Sequence, residues 1–366
     1  MRHVYLAATG QNRGKTTISL GVLDGFQKRG LAVGFIKPVG QRTVIEDGVP
    51  ADEDAILMRS VFRLSEPLDR MSPVHIPRGF TRDYIEGRVV EDLPARIRAA
   101  HAGFAGDRDI VLIEGTGHAG VGAVIGLSNA VVARMLGAPA IIVSEGGVGR
   151  PIDEIVLNAA LFERQGVHVG GAIVNKVNLA ARPDLGRVLE KGLGRFGIPL
   201  LGVLPYRPIL SNPTLAMVLE GVRGETIHPG PDLDQVIAGV AIGAMEPAHM
   251  LERVGPQTLV IVPGDREDVI LAITTTHDNG SSEGTALGLV LTGGYRPRQA
   301  VLDAVRRADL FATLVGADTY AVASDVHDLL VKTHPSDHGK ITEIKDLVWE
   351  HLEIDRVLEV ATTARV

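Results

Sequence analysis

Short apolar runs recur along the first two hundred positions, at 4–8, 32–36, 110–113, 140–143, 169–174 and 200–204, and between them apolar residues fall at helical spacing. Continuous apolar runs bounded by turns mark strands buried on both faces. Their alternation with amphipathic stretches predicts an α/β unit, a parallel sheet with crossover helices. The first predicted helix carries Ile18, Leu20, Val22, Leu23 and Phe26 and is stopped near Arg29 by Gly30. A second spans 128–136 and is stopped by Gly137-Ala138-Pro139. A third starts near Pro151, where the missing N–H of proline is harmless in a first helical turn.

The pattern changes near Asn212-Pro213. A short helix is expected over 214–220, then a stretch over 221–232 dense in Gly, Pro and charge, as a boundary region is. A second apolar series follows at 236–244, 259–262, 287–291 and 311–315, with a helix from Glu267 to about Thr276. Three of these runs end in polar or glycine turns: Pro263-Gly264-Asp265-Arg266, Thr292-Gly293-Gly294 and Gly316-Ala317-Asp318-Thr319. Over 340–358 one amphipathic helix is expected, with Ile344, Leu347, Val348 and Leu352 on one side. The expected division is therefore a first domain over 1–212, a smaller α/β domain over 213–332 and a C-terminal helical tail over 333–366.

Composition narrows the function classes. With 45% hydrophobic and 22% charged residues, the chain reads as globular. A formal charge of −7, with no basic run longer than Arg306-Arg307, argues against nucleic acid, whose phosphates need clustered cations. The absence of cysteine excludes disulfides, thiolate metal ligands and a Cys nucleophile. No apolar run approaches the ~20 residues of a membrane span, and the first strand leaves no room for a secretory signal. A cytoplasmic protein is the expectation.

The candidate chemistry lies at the ends of the predicted strands, where ligands of parallel sheets collect. Thr9-Gly10-Gln11-Asn12-Arg13-Gly14-Lys15-Thr16-Thr17 joins the first strand to the first helix. A Gly-rich strand-to-helix turn aims backbone N–H groups and the positive helix end at one point, which suits a polyphosphate. Lys15 would reach the β and γ phosphates and Thr16 a bound Mg²⁺. The strict motif has Gly six places before the lysine; here Thr9 stands there, with Gly10 one step later.

Lys37-Pro38-Val39-Gly40 ends the second run. Its ammonium either points at the phosphate site, to steady a γ-phosphoryl group or clamp a carboxylate, or is simply solvated. In Asp52-Glu53-Asp54, acids at a helix start cap free N–H groups, and one turned inward would suit Mg²⁺. Glu114 ends an apolar strand beside Gly115, a placement suited to a second Mg²⁺ carboxylate. Asn175 ends the fifth run and reads either as a contact to a purine edge or as a turn residue. His118 reads as an ordinary loop histidine.

Taken together, the Thr-Gly-x-x-x-Gly-Lys-Thr loop, Lys37-Pro38-Val39, Asp54-Ala55, Glu114-Gly115-Thr116-Gly117 and Asn175 resemble the dethiobiotin synthetase family and, more closely, the N-terminal module of long phosphotransacetylases. The resemblance covers about residues 2–210. It implies a SIMIBI-type P-loop NTPase fold, with ATP and Mg²⁺ as cofactors and Lys15 and Lys37 acting on the γ phosphate and the substrate. It implies Thr16, Asp54 and Glu114 as Mg²⁺ ligands and Asn175 as an adenine contact. The implied chemistry is that of an ATP-dependent ligase, related also to cobyrinic acid amidases, that activates a small carboxylate. The three-residue spacing before Gly14-Lys15 and the Gln41-Arg42 pair depart from the synthetases, which argues against the biotin precursor as substrate.

Asp265-Arg266, Thr292-Gly293-Gly294 and Asp318-Thr319 resemble a DRTGG domain over about 214–332. That resemblance implies either an anion or nucleotide pocket at Asp265, Arg266, Thr292, Gly293 and Gly294 or a dimer contact, and with it a homodimer. The chain stops at Val366, where long phosphotransacetylases continue into a further catalytic domain, so the alternative is a nucleotide-sensing module that regulates a protein partner without acetyl transfer of its own.

Overall fold

The computed structural model describes residues 1–255, 257–278, 285–327, 329 and 332–362. They form two units, Arg207–Lys332 being one, and Met1–Tyr206 with the described part of Thr333–Val366 the other.

The first unit is built on six parallel strands, β1 (Arg2–Ala8), β2 (Val33–Ile36), β3 (Ile110–Glu114), β4 (Ala140–Glu145), β5 (Val169–Val177) and β6 (Leu200–Pro205), in the order β6-β5-β4-β1-β3-β2. The strands are continuous apolar runs because helices cover both faces of a parallel sheet. The chain starts in the middle with β1, goes outward to β2, returns to β3, then crosses to β4 on the other side. This reversal opens a crevice at the carboxyl ends of β1, β3 and β4. From β1 the chain enters α1 (Lys15–Lys28), which ends at Gly30, a left-handed residue (φ 75°) whose N–H closes on Gln27 O.

After β2 comes an antiparallel hairpin, Thr43–Glu46 with Val49–Asp52, and then α2 (Glu53–Phe62). Before and after β4 along the chain come α3 (Asn129–Met135) and α4 (Gly149–Arg164), and α5 (Leu185–Gly194) precedes β6. Two further helices return to this unit, α10 (His338–His351) and α11 (Ile354–Thr362). The single helix expected over 340–358 is thus two, broken at extended Leu352, which bridges Gly202 of β6. Ile344, Leu347, Val348 and Leu352 are all buried.

The second unit has five strands, β7 (Glu225–His228), β8 (Gly239–Ile242), β9 (Thr258–Pro263), β10 (Ala286–Thr292) and β11 (Phe311–Leu314), in the order β7-β11-β10-β9-β8. Four are parallel; β7, inside the stretch expected as a boundary, is an antiparallel edge. On one face α7 (Glu267–Asp278) and α8 (Gln299–Arg307) bury Val269, Ile270, Ile273, Val301, Leu302 and Val305. On the other, α6 (Leu215–Val222) and α9 (Thr319–His327) bury Leu215, Val218, Val322 and Val326. Among the described residues no helix is long and apolar enough to cross a membrane.

At the amino end of β1, the His3 ring lies edge-on to His101, centroids 5.3 Å apart, and His3 Nε2 donates to Gly137 O at 2.9 Å. His3 Nδ1 and His101 Nε2 are buried without a partner among the described residues, and burial pushes His101 down to about 4. Unfolded histidine titrates near 6.5, so the unfolded chain takes up the proton first. Stability is therefore lost as pH falls from about 6.5 towards 4, by about 2 kcal/mol for this group. Urea unfolding at pH 7 and pH 4.5 should show His101→Gln losing that much less than wild type between the two; equal losses would refute it.

Candidate functional site

The loop between β1 and α1 is held from below by the end of β5. Asn12 and Gly14 are left-handed (φ 57° and 88°). Asn175 Nδ2 donates to Arg13 O at 3.1 Å, and Lys176 Nζ to Asn12 O at 2.7 Å. A Cβ on Gly14 would lie 2.1 Å from Asn175 Nδ2, so glycine is required both by φ and by space. The first helical bond runs from Ile18 N–H to Gly14 O, 3.0 Å, and the N–H groups of residues 15–17 have no carbonyl partner among the described residues. These are the free donors of a helix start, aimed along its positive end.

Thr9, which replaces the first glycine of the motif, ties the loop to α4. Its N–H donates to Val143 O at 2.8 Å and its hydroxyl to Glu154 Oε2 at 2.8 Å, with Ser144 Oγ 3.1 Å away. Arg13 is ion-paired with Glu145 and lies 3.8 Å from Glu154. Two carboxylates would repel a phosphate, and Arg13 balances them.

On the other side of the loop, four predicted residues converge. Lys37 is 5% exposed; its Nζ is 2.6 Å from Asp54 Oδ2 and 2.7 Å from Glu114 Oε1. Thr16 Oγ1 donates to Asp54 Oδ1 at 3.0 Å. Asp52 caps α2, accepting Asp54 N–H at 3.1 Å, which turns the Asp54 carboxylate inward. Glu114 is fully buried, and its second oxygen accepts from Ser19 Oγ at 2.6 Å.

The charges follow from this packing. Burial alone would pull Lys37 down, but Asp54 and Glu114 overcome it and hold the ammonium above the usual lysine range. Burial likewise opposes ionisation of Asp54, yet the charge and hydrogen bond of Lys37 bring it down to about 2. Glu114 is pushed up to about 7, chiefly by burial. Lys15, 8% exposed, is pushed down to about 8 by burial and by the neighbouring charge of Lys37.

The turn after β3 is fixed by Asn129 at the start of α3. Its Oδ1 accepts from Tyr5 OH (2.8 Å) and Thr116 N–H (3.0 Å), and its Nδ2 donates to the carbonyls of Thr116 (2.8 Å) and His118 (2.6 Å). His118 Nδ1 accepts Gly120 N–H at 3.2 Å, an ordinary loop role.

Sequence reasoning missed Ser19, Asn129, Glu145, Glu154 and Lys176. Only Ser19 carried a signal, standing four residues after Lys15 and so on the same helix face. Asn175, implied as an adenine contact, has its amide turned onto the loop's own carbonyl.

In the second unit, Thr292 Oγ1 lies 2.7 Å from Thr319 Oγ1, and the left-handed pair Gly293-Gly294 donates to Ala317 O and Val315 O. Arg266 reaches Asp268 and the carbonyls of Ala244 and Met245. A Cβ on Gly264 would lie 1.8 Å from Tyr295 O. These motif residues hold the strand-end turns to one another, and Asp265 stays exposed.

Known proteins carry the same two-part order. Residues 2–214, more than half of the chain, match the family AAA_26, described as an AAA domain. The chain belongs to that family. Residues 217–329 match the DRTGG domain. Phosphate acetyltransferase of Synechocystis sp. is 24% identical over 99% of this chain and 52% of its own length. That of Pseudomonas putida is 29% identical over 96% and 51%. The chain thus spans about half the length of the curated relatives it matches. Among solved structures, the MinD cell division protein of Aquifex aeolicus is 14% identical, covering 57% of this chain and 84% of its own, with a TM-score of 0.34, too low to bear on function. The P-loop, dethiobiotin synthetase-like unit followed by a DRTGG domain, as in the N-terminal region of phosphate acetyltransferases, is therefore this chain's family architecture.

Proposed function

We propose that the first unit binds ATP with Mg²⁺ and transfers the γ-phosphoryl group to a small carboxylate, as an ATP-dependent ligase does. The observation that carries this reading is the gathering of Lys15, Lys37, Asp54 and Glu114 at one strand-end edge, all nearly or fully buried except Asp54, which is a quarter exposed. In this reading the loop N–H groups and Lys15 bind the β and γ phosphates, and Thr16, Asp54 and Glu114 hold the metal. The donor set fits Mg²⁺: hard oxygens that already face one cationic group, the Lys37 ammonium. No three His, Asp or Glu among the described residues could hold a metal by themselves. Phosphate oxygens and water would therefore complete the shell, the usual state of Mg²⁺ at a nucleotide.

Bound Mg²⁺ would neutralise charge on the β and γ oxygens. Phosphoryl transfer asks the protein mainly for positioning and positive charge. The carboxylate oxygen attacks the γ phosphorus, the bond to the β-γ bridging oxygen breaks, and ADP leaves with its electron pair. Asn175, Lys176, Thr9 and Arg13 act here as supports of the loop.

A second reading is favoured by the relatives, which are named phosphate acetyltransferases and match over half their length. In it the unit senses a nucleotide and controls a partner or a further domain of that activity. Calorimetry with Mg·ATP, run beside ADP release over a panel of small mono- and dicarboxylates, separates the two. Carboxylate-stimulated turnover that Lys37→Met abolishes is the expected result. Tight binding with no turnover on any acceptor leaves the sensing reading, and absence of nucleotide binding sinks both.

A further inference from the structure

We infer that Lys37 is the resident cation of the metal site, holding Asp54 and Glu114 ready and denying them to free Mg²⁺ until a nucleotide draws the ammonium onto its phosphate. The inference rests on the reading of Thr16, Asp54 and Glu114 as metal ligands.

Three observations carry it. Lys37 Nζ makes short contacts to both carboxylates, 2.6 Å to Asp54 Oδ2 and 2.7 Å to Glu114 Oε1. Each carboxylate has its other oxygen occupied by a hydroxyl of α1, Thr16 on Asp54 at 3.0 Å and Ser19 on Glu114 at 2.6 Å. The lysine backbone is fixed as well, its N–H bonded to Met71 O at 2.7 Å. Motion is thus confined to the side chain.

A divalent ion needs the same oxygen lone pairs that the ammonium occupies, and two cations sharing them repel. Removing the ammonium without replacement would leave two adjacent carboxylates, one fully buried, which is unfavourable. The exchange is consequently tied to a species that brings both a cation for the carboxylates and an anion for the lysine. A metal-bound polyphosphate does both. Free Mg²⁺ brings only the first, and free ATP only the second. Lys37 thereby makes the site selective for the metal–nucleotide complex.

The test is Mn²⁺ binding to the chain of residues 1–366, followed by its paramagnetic resonance without nucleotide. Lys37→Met and Lys37→Gln should gain one Mn²⁺ site at least about tenfold tighter than wild type, whereas Lys37→Arg, which keeps a cation, should not. The gain should vanish in Lys37→Met/Glu114→Gln. If loss of the lysine weakens folding, Mn²⁺ should restore the melting temperature of Lys37→Met and leave wild type unmoved. Variants that bind Mn²⁺ no more tightly than wild type, with no metal-dependent rise in melting temperature, overturn the inference. So does stoichiometric nucleotide-free Mn²⁺ binding by wild type that Glu114→Gln removes. A parallel arm with ATP tests the underlying reading separately, since wild type should bind Mn²⁺ there whatever the nucleotide-free variants do.

Discussion

Lys15→Ala will weaken ATP binding by about 100-fold or more while leaving the protein at least as stable as wild type. Most buried charges cannot be removed in this way, because they are paired and their partner is left behind. Lys15 is different: it is 8% exposed and no side-chain hydrogen bond or ion pair of it occurs among the described residues. Burial and the charge of Lys37 bring it down to about 8, against 10.5 in an unfolded chain. The folded state therefore binds its proton less tightly, and between about pH 8 and 10.5 stability rises with pH as this strain is relieved.

Deleting the ammonium removes that strain. It also removes a charge-assisted bond to phosphate, which in a water-poor site is worth about 3 kcal/mol, hence the hundredfold. Calorimetry and thermal melting of the same variant form the test. If Lys15→Ala melted many degrees lower, Lys15 would be a structural residue. The proton offers a second check. At pH 8.5 part of Lys15 is neutral in the free protein, so binding the phosphates should take up protons, and affinity should fall as pH rises past about 8. Buffers of different ionisation enthalpy would reveal that uptake in wild type and its absence in Lys15→Ala.

The fold and the site were legible to different depths. The parallel sheet could be read because each of its strands is a continuous apolar run with helical spacing after it, as at Val4–Ala8 before the loop. Lys37 and Glu114 could be placed near the loop because strand-end position is itself information in a parallel sheet; Thr16 followed from the loop motif, and Asp54 was singled out from its acidic cluster only by the family resemblance. Their pairing could not. Nothing in Lys37-Pro38-Val39 says that its ammonium lies between two carboxylates 17 and 77 residues away. The hairpin before α2 had a local signal that went unread: Asp47-Gly48, both left-handed (φ 53° and 77°), is a favoured two-residue hairpin turn. β7 had none, since a four-residue edge strand flanked by Gly224 and Pro229 looks like any loop. Thr9 was visible as an irregularity, but its use became clear only with Glu154, 145 residues away.

The larger stability effect is expected at the opposite end of the chain. Removing residues 333–366, which by sequence read as an appended tail, should prevent the P-loop unit from folding. α10 and α11 pack on this unit, and Ile341, Ile344, Leu347, Val348, Ile354, Val357 and Val360 are buried there. Full burial of such side chains contributes about 1.5–3 kcal/mol each. Seven of them sum to about 10 kcal/mol or more, which is comparable to the whole stability of a domain. The ring of Trp349 under Lys28 and Arg29, 4.8 and 5.5 Å away, adds less because it is half exposed.

The sequence of α1 has been shaped for this contact. A Cβ on Gly21 would lie 2.1 Å from Val348 Cβ, and one on Gly25 2.9 Å from Ile354 Cδ1. Helix propensity alone predicts that Gly21→Ala stabilises by about 1 kcal/mol. Overpacking against a β-branched side chain costs about 1–3 kcal/mol, so the net sign should be destabilising. A double variant, Gly21→Ala with Val348→Ala, should recover much of the loss, because the same volume is given back at the point of contact. A truncated chain that melts cooperatively near the wild-type temperature, or a Gly21→Ala variant more stable than wild type, would show that α10 is dispensable to the nucleotide unit. Far-UV circular dichroism and thermal melting of the three proteins decide it.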